Sequence, residues 1–158
     1  MSCPVNKYLS MPMSALAILA ACIGSLAFAL MLQYGFNVQP CELCVAQRVP
    51  FAAAALFAGL ALTVKPYGGA ATGALLSLCA VAFLANTGLA IFHSGVERHW
   101  WEWHSSCTGS VLDHLSPEEL RKQLLGTPTV RCDKIDWSLF GLSLANYNIP
   151  FSFALATF

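Results

Sequence analysis

Four cysteines stand at spacings that could do chemistry. Cys41 and Cys44 form a C-x-x-C in a short turn between two long apolar runs; Cys107 and Cys132 lie in a polar stretch after a third. Thiols spaced in this way either exchange disulfides or hold zinc. The run Pro40-Cys41-Glu42-Leu43-Cys44 stands where a helix should begin, and a helix N-terminus favours the thiolate, the form that reacts. On that helix Cys44 and Arg48 are four residues apart and share a face. Arg48 is a permanent positive charge near a membrane boundary, where it is costly without a purpose. It can stabilise a Cys44 thiolate and an anionic carrier beside it. Gln47, three residues from Cys44, can donate a hydrogen bond to a carbonyl oxygen.

The elements that must position these residues read as membrane helices. Of 158 residues, 57% are hydrophobic and 10% charged, against about 25% charged in a soluble domain. The formal net charge of zero leaves no nucleic-acid footprint. The length suits one small membrane domain over residues 1–158. Ser14 to Tyr34 is an uncharged run of 21 residues, about 32 Å of helix against a hydrocarbon core of about 30 Å. Spans are expected at about 14–34, 45–64 and 70–92. A fourth apolar run at the end, about 147–158, is too short to cross as a helix and reads as a span cut short within this sequence. Ala27-Phe28-Ala29 and Leu19-Ala20-Ala21-Cys22 mimic processing sites, but the apolar run continues unbroken past both. The expectation is an all-α, four-transmembrane-helix bundle.

Charge sets the orientation. Lys7 precedes the first span and Lys65 lies between the second and third, whereas 33–43 has no Lys or Arg. The positive-inside rule puts both lysines in the cytoplasm. Outer loops at about 35–44 and 94–146 then share the opposite face, and both cysteine pairs with it. Trp100, Trp101 and Trp103 follow the third span at the depth of an aromatic belt. Within the long loop, Ser116 as N-cap, Pro117 at N1 and Glu119 at N3 announce a short helix ending at Gly126, expected on the membrane surface. Thiols on a wet face beside lipid point to electrons passing from proteins to a lipid-soluble carrier. A disulfide closing the 24 residues between Cys107 and Cys132 would be worth about 3–4 kcal/mol by chain entropy. The competing chemistry is zinc at Cys41 and Cys44 with His99, His104 or Cys107, which would make the chain a non-enzymatic metal-binding or scaffolding protein. A fourth cysteine, Cys132, and an outer-face location favour disulfides.

These residues carry a family resemblance. Gln39-Pro40-Cys41-Glu42-Leu43-Cys44-Val45-Ala46-Gln47-Arg48 resembles the first outer loop of the DsbB disulfide-bond-formation proteins. His93-Ser94-Gly95-Val96-Glu97, then Trp100-Trp101 and Ser106-Cys107, resemble the start of the second outer loop; Cys132-Asp133 through Trp137-Ser138-Leu139-Phe140-Gly141-Leu142-Ser143 resemble its end. The resemblance implies a four-helix bundle of the bacterial inner membrane that reoxidises a DsbA-like periplasmic thiol oxidase and reduces membrane quinone, either ubiquinone or menaquinone. It implies that Cys44 faces the quinone with Cys41 as its resolving partner. It further implies that Cys107 receives the attack of the DsbA-like thiol and that Cys132 exchanges with Cys41. It also puts Arg48 and His93 at the quinone. Cys3, Cys22 and Cys79 have no matching redox role, and Cys22 and Cys79 are expected to pack within the membrane. Asn86 and Thr87 are expected to be interhelical hydrogen-bond groups or to line a quinone cleft.

Overall fold

The structure is a computed structural model, and it describes residues 4–64, 69–101, 118, 132–133 and 137–158, with side chains from position 12 onward. The elements in order are helices α1 (Pro4–Gly35), α2 (Glu42–Ala46), α3 (Arg48–Val64) and α4 (Gly69–Glu97), strands β1 (Ser138–Leu139) and β2 (Leu142–Ser143), and helix α5 (Leu144–Thr157). Among the described residues, three stretches are long and apolar enough to cross a membrane: Pro12–Gly35, Glu42–Val64 and Gly69–Glu97. α4 is the hub. It packs against α3 on one side and α5 on the other, while α1 packs mainly on α3.

The interior is built from small residues. Cys22, Ala54, Ala58 and Cys79 are fully buried with Phe83 in one cluster, into which Phe51 also packs. Without a hydrophobic drive between helices in lipid, close backbone approach over small side chains is what holds such helices together. Phe51 fills the remaining space edge-on to Phe83, at 5.7 Å between ring centroids, and stacks on Phe151 of α5 at 6.2 Å. The large aliphatic side chains point outward instead: Leu16, Ile23, Leu56, Val81 and Leu84 are all more than half exposed. In water such a surface would be an association hazard; in a bilayer it is the solvent-facing side.

Local chemistry sets the breaks. Pro50 cannot donate to the carbonyl of Ala46, and its ring crowds that group. The helical hydrogen-bond ladder therefore breaks at Gln47, which caps α2, although Gln47 keeps helical dihedrals (φ −67°, ψ −17°) and its amide donates to the Leu43 carbonyl at 3.0 Å. α2 and α3 follow directly on one another as the stretch Glu42–Val64. The β1–β2 ribbon is a two-residue hairpin with Ser138 opposite Ser143 and Leu139 opposite Leu142. Both turn residues have positive φ, 50° at Phe140 and 77° at Gly141, the geometry of a type I′ turn, in which glycine relieves one of the two strained positions.

The sequence reading differs from this structure at several edges. α4 continues through Glu97, and α5 begins at Leu144 rather than near 147, so the long loop is shorter at both ends than 94–146. The early start of α5 follows from Ser143, whose hydroxyl accepts from the Asn146 amide as an N-cap. The ribbon is a small β element among described residues that are otherwise mostly helical. Trp101 folds back on α4, stacking on Phe92 at 5.6 Å and donating its ring N–H to the Phe92 carbonyl at 2.8 Å. Its ring covers Gly95, where any Cβ would collide with it. Trp100 remains exposed, with the Arg98 guanidinium 5.2 Å from its ring centroid. Cys3, Lys65, Trp103, His104, Cys107 and the expected helix from Ser116 to Gly126, apart from Glu118, lie outside the described residues.

Candidate functional site

The C-x-x-C is organised by a helix start. Cys41 is the N-cap of α2, and its sulfur accepts from the Cys44 amide at 3.3 Å. The first turn of α2 then brings the two sulfurs to 2.7 Å, with the Cys41 thiol donating to Cys44. Both are free thiols. That donated hydrogen bond, reinforced by burial, pushes the Cys41 thiol up to about 12. Loss of its proton would forfeit the bond to Cys44 and put a charge in a poorly hydrated place.

Cys132 comes to Cys41 from the far end of the long loop. It is buried in a cluster with Cys41, Leu43 and Val96, against which Cys44 and Phe92 pack. Burial pushes the Cys132 thiol up to about 11, while the backbone amides of Leu43 and Glu42 pull the other way. Three of the four expected redox cysteines therefore meet at one point. Cys107 lies outside the described residues.

His93 stands on α4 behind this pair. Its Nε2 lies 3.5 Å from the Cys41 sulfur and 3.7 Å from Glu97 Oε1, one turn further along α4. The ligating atoms of Cys41, Cys44 and His93 all lie within 4.8 Å of one another. The zinc set with His99, His104 or Cys107 is not what the described residues assemble here; His93 takes that place. Glu97 is buried as well, and its Oε2 accepts from the Ser143 hydroxyl at 2.5 Å. This bond ties the end of α4 to the start of α5.

Gln47 is turned inward. Its amide nitrogen meets His93 Nδ1 at 3.0 Å and its oxygen accepts from Asn148 Nδ2 at 2.7 Å, so both ends are engaged by neighbouring helices. Arg48 reaches across to α1 and donates to the Gln33 carboxamide oxygen at 2.7 Å. Cys41, Cys44, Gln47, Arg48, His93 and Glu97 line a single cavity of about 430 Å³. Its apolar walls come from Leu26, Phe28 and Leu32 of α1, Phe51 of α3 and Phe151 of α5. The size and the mix of apolar wall and few polar groups are those of a small-molecule site.

Sequence reasoning missed Gln33, Glu97, Ser143 and Asn148 as members of this site. Asn148 carried a signal, an amide in an apolar run, which has to find an interior partner in a membrane. Asn86 does make interhelical bonds, to Asn148 and Ser152, but it does not line the cavity. Thr87 bonds only to the Phe83 carbonyl of its own helix among the contacts described.

Comparison with known proteins agrees with this picture. The family model described as "Disulfide bond formation protein DsbB" matches residues 12–158. A disulfide bond formation protein B of Xylella fastidiosa (strain Temecula1) is 37% identical over 142 residues, covering 85% of this chain and 79% of that protein. The protein of the same name from Xanthomonas euvesicatoria pv. vesicatoria is 34% identical over 140 residues, covering 86% and 80%. No solved structure matches. A thiol pair closed by a helix N-cap, a third cysteine delivered to it by a loop, and a match over nearly the full length lead to one conclusion: this chain belongs to the DsbB family of disulfide bond formation proteins.

Proposed function

We propose that this protein sits in the bacterial inner membrane with its cysteine-bearing loops in the periplasm, where it reoxidises a DsbA-like thiol oxidase and delivers the electrons to membrane quinone. The observation that carries this reading is Cys41, whose sulfur touches Cys44 on the cavity side and packs with Cys132 on the loop side. A thiol placed between two others is what a disulfide relay needs, since each exchange is an attack by a thiolate on a reachable disulfide sulfur.

The steps balance. The two thiols of the DsbA-like partner attack a Cys107–Cys132 disulfide, leaving the partner oxidised and this pair reduced. The Cys132 thiolate then attacks Cys41 and releases Cys44, and Cys107 attacks Cys132 to release Cys41, so the Cys107–Cys132 disulfide forms again and Cys41 and Cys44 end as thiols. Quinone, when bound, takes up two electrons and two protons as that pair closes again. Arg48 supplies a fixed positive charge held in place by Gln33, which favours negative charge developing in the cavity. His93 and Gln47 supply polar contacts at the same end, and the Leu26, Phe28, Phe51 and Phe151 walls suit a flat ring and an apolar tail. Ubiquinone and menaquinone meet these requirements equally. The metal-binding or scaffolding alternative is not favoured for a member of this family.

The test is turnover. Purified protein in detergent, given a reduced DsbA-like partner and a soluble quinone, should reduce one quinone per partner disulfide formed. Partner oxidation without quinone loss would refute the assignment.

A further inference from the structure

A ladder of side-chain amides runs through the bundle and ends on His93. On α4, the Asn86 amide nitrogen donates to Asn148 Oδ1 at 3.2 Å and to Ser152 Oγ at 2.8 Å. The Ser152 hydroxyl donates to the same Asn148 oxygen at 2.8 Å. Asn148 Nδ2 donates to Gln47 Oε1 at 2.7 Å, and Gln47 Nε2 stands 3.0 Å from His93 Nδ1. Asn86, Ser152, Gln47 and His93 are all buried. The ladder joins α5 to α4 and to the α2–α3 bend, and polar groups at this depth are kept where they have a task.

The direction of the ladder has a chemical consequence. Two donors converge on Asn148 Oδ1, which leaves the Asn148 nitrogen for Gln47 and fixes the Gln47 oxygen toward Asn148. The Gln47 nitrogen must then face His93. An amide nitrogen only donates, so His93 Nδ1 has to accept. The ring proton of a neutral His93 is thereby placed on Nε2, the atom 3.5 Å from the Cys41 sulfur. We propose that Asn148 and Gln47 are positioning residues which hold His93 as the Nε2–H tautomer, so that it donates a hydrogen bond to the Cys41 sulfur during exchange.

Titratable and charged groups face His93 from several elements. Cys41 and Cys44 face it from the start of α2, and Glu97 from its own helix. Arg48 of α3 and Tyr147 of α5 line the same cavity, and the α1 lining is uncharged. A thiolate forming at Cys41 as its disulfide opens gains the Nε2–H of His93 as a hydrogen-bond donor. The kinetic part of this inference rests on the quinone-linked exchange proposed above; the tautomer itself does not.

The test uses the full chain in detergent micelles with ¹⁵N-labelled histidine, the His93 signals being assigned by their loss in His93→Gln. The expected spectrum shows Nδ1 unprotonated and Nε2 protonated. Gln47→Glu is isosteric, and its carboxylate can accept from both Asn148 and the ring. It should move the proton to Nδ1 and lower turnover at saturating quinone about tenfold, the loss of one hydrogen bond to a charged sulfur. Asn148→Leu should give mixed tautomers. A protonated Nδ1 in the unmodified protein would overturn the proposal, and that spectrum decides it even where a variant fails to fold. An unchanged ring signature in Gln47→Glu and Asn148→Leu alongside lowered thermal stability would reduce the ladder to interhelical glue and overturn it equally. Absence of quinone turnover in the unmodified protein would sink the proposed function while leaving the tautomer measurement intact.

Discussion

Cys41 touches three groups that lie in different directions: Cys44 within its own turn, Cys132 from the long loop and His93 from α4. In the proposed relay each contact serves a different stage, so substitutions should separate the stages. Cys44→Ser is expected to abolish quinone reduction. Cys107→Ser should block oxidation of the DsbA-like partner yet leave quinone-linked oxidation of a small dithiol through Cys41 and Cys44 intact. Retained quinone reduction in Cys44→Ser would remove Cys44 from its role. A pH experiment probes Cys41 directly. Its proton is held by donation to Cys44 and by burial, and the thiol is raised to about 12. In the reduced protein the thiolate fraction therefore keeps rising about tenfold per pH unit between pH 7 and 9, whereas an ordinary cysteine, with a pKa of about 8.5, levels off. Alkylation of Cys41 that reaches a plateau near pH 9 would contradict this geometry. The identities of these thiols were legible because C-x-x-C after a proline at a helix start is a local pattern. The partners of Gln47 were not, because His93 and Asn148 lie 46 and 101 residues away in the chain.

At the scale of elements, the joint between α4 and α5 lies beside the cavity, which Glu97, Leu144 and Ala145 help to line. Ser143 caps α5 and also donates to Glu97. Ser143→Ala removes a cap and leaves a buried carboxylate with one partner fewer, and a loss of about 1–2 kcal/mol is expected, read as a lower midpoint in thermal unfolding in detergent. A midpoint within error of the unmodified protein would show that the joint is not holding the two helices together. Hydropathy and length marked the long helices well, since a run of apolar residues in α1, α3 or α4 needs no partner to be recognised. It marked their ends poorly. Glu97 and Ser143 are polar and read as loop, yet α4 runs through the first and α5 is capped by the second. The ribbon at Ser138–Ser143 is set by Phe140 and Gly141 adopting positive φ, which hydropathy does not report. Trp101 read as an interfacial anchor because only its position along the chain was visible; its seat on Gly95 is a tertiary contact.

For the whole molecule, apolar side chains face outward along the spanning helices while small residues, amides and thiols face inward. That distribution suits lipid, and it leaves the C-x-x-C at one end of the bundle with Cys132 beside it. The proposed orientation puts this end in the periplasm. A membrane-impermeant maleimide applied to spheroplasts should label reduced Cys107 and spare Cys3, and the reverse pattern would invert the topology. The relay itself is the central claim, and the redox states of the cysteines with and without quinone test it most directly. Thiol trapping of the protein in membranes replete with quinone should find Cys41 and Cys44 as a disulfide, as well as Cys107 with Cys132. In quinone-depleted membranes supplied with a reduced DsbA-like partner, both pairs should accumulate as thiols. Cysteines that stay oxidised when quinone is removed, or stay reduced when it is restored, would contradict a path from the partner through Cys41 to quinone.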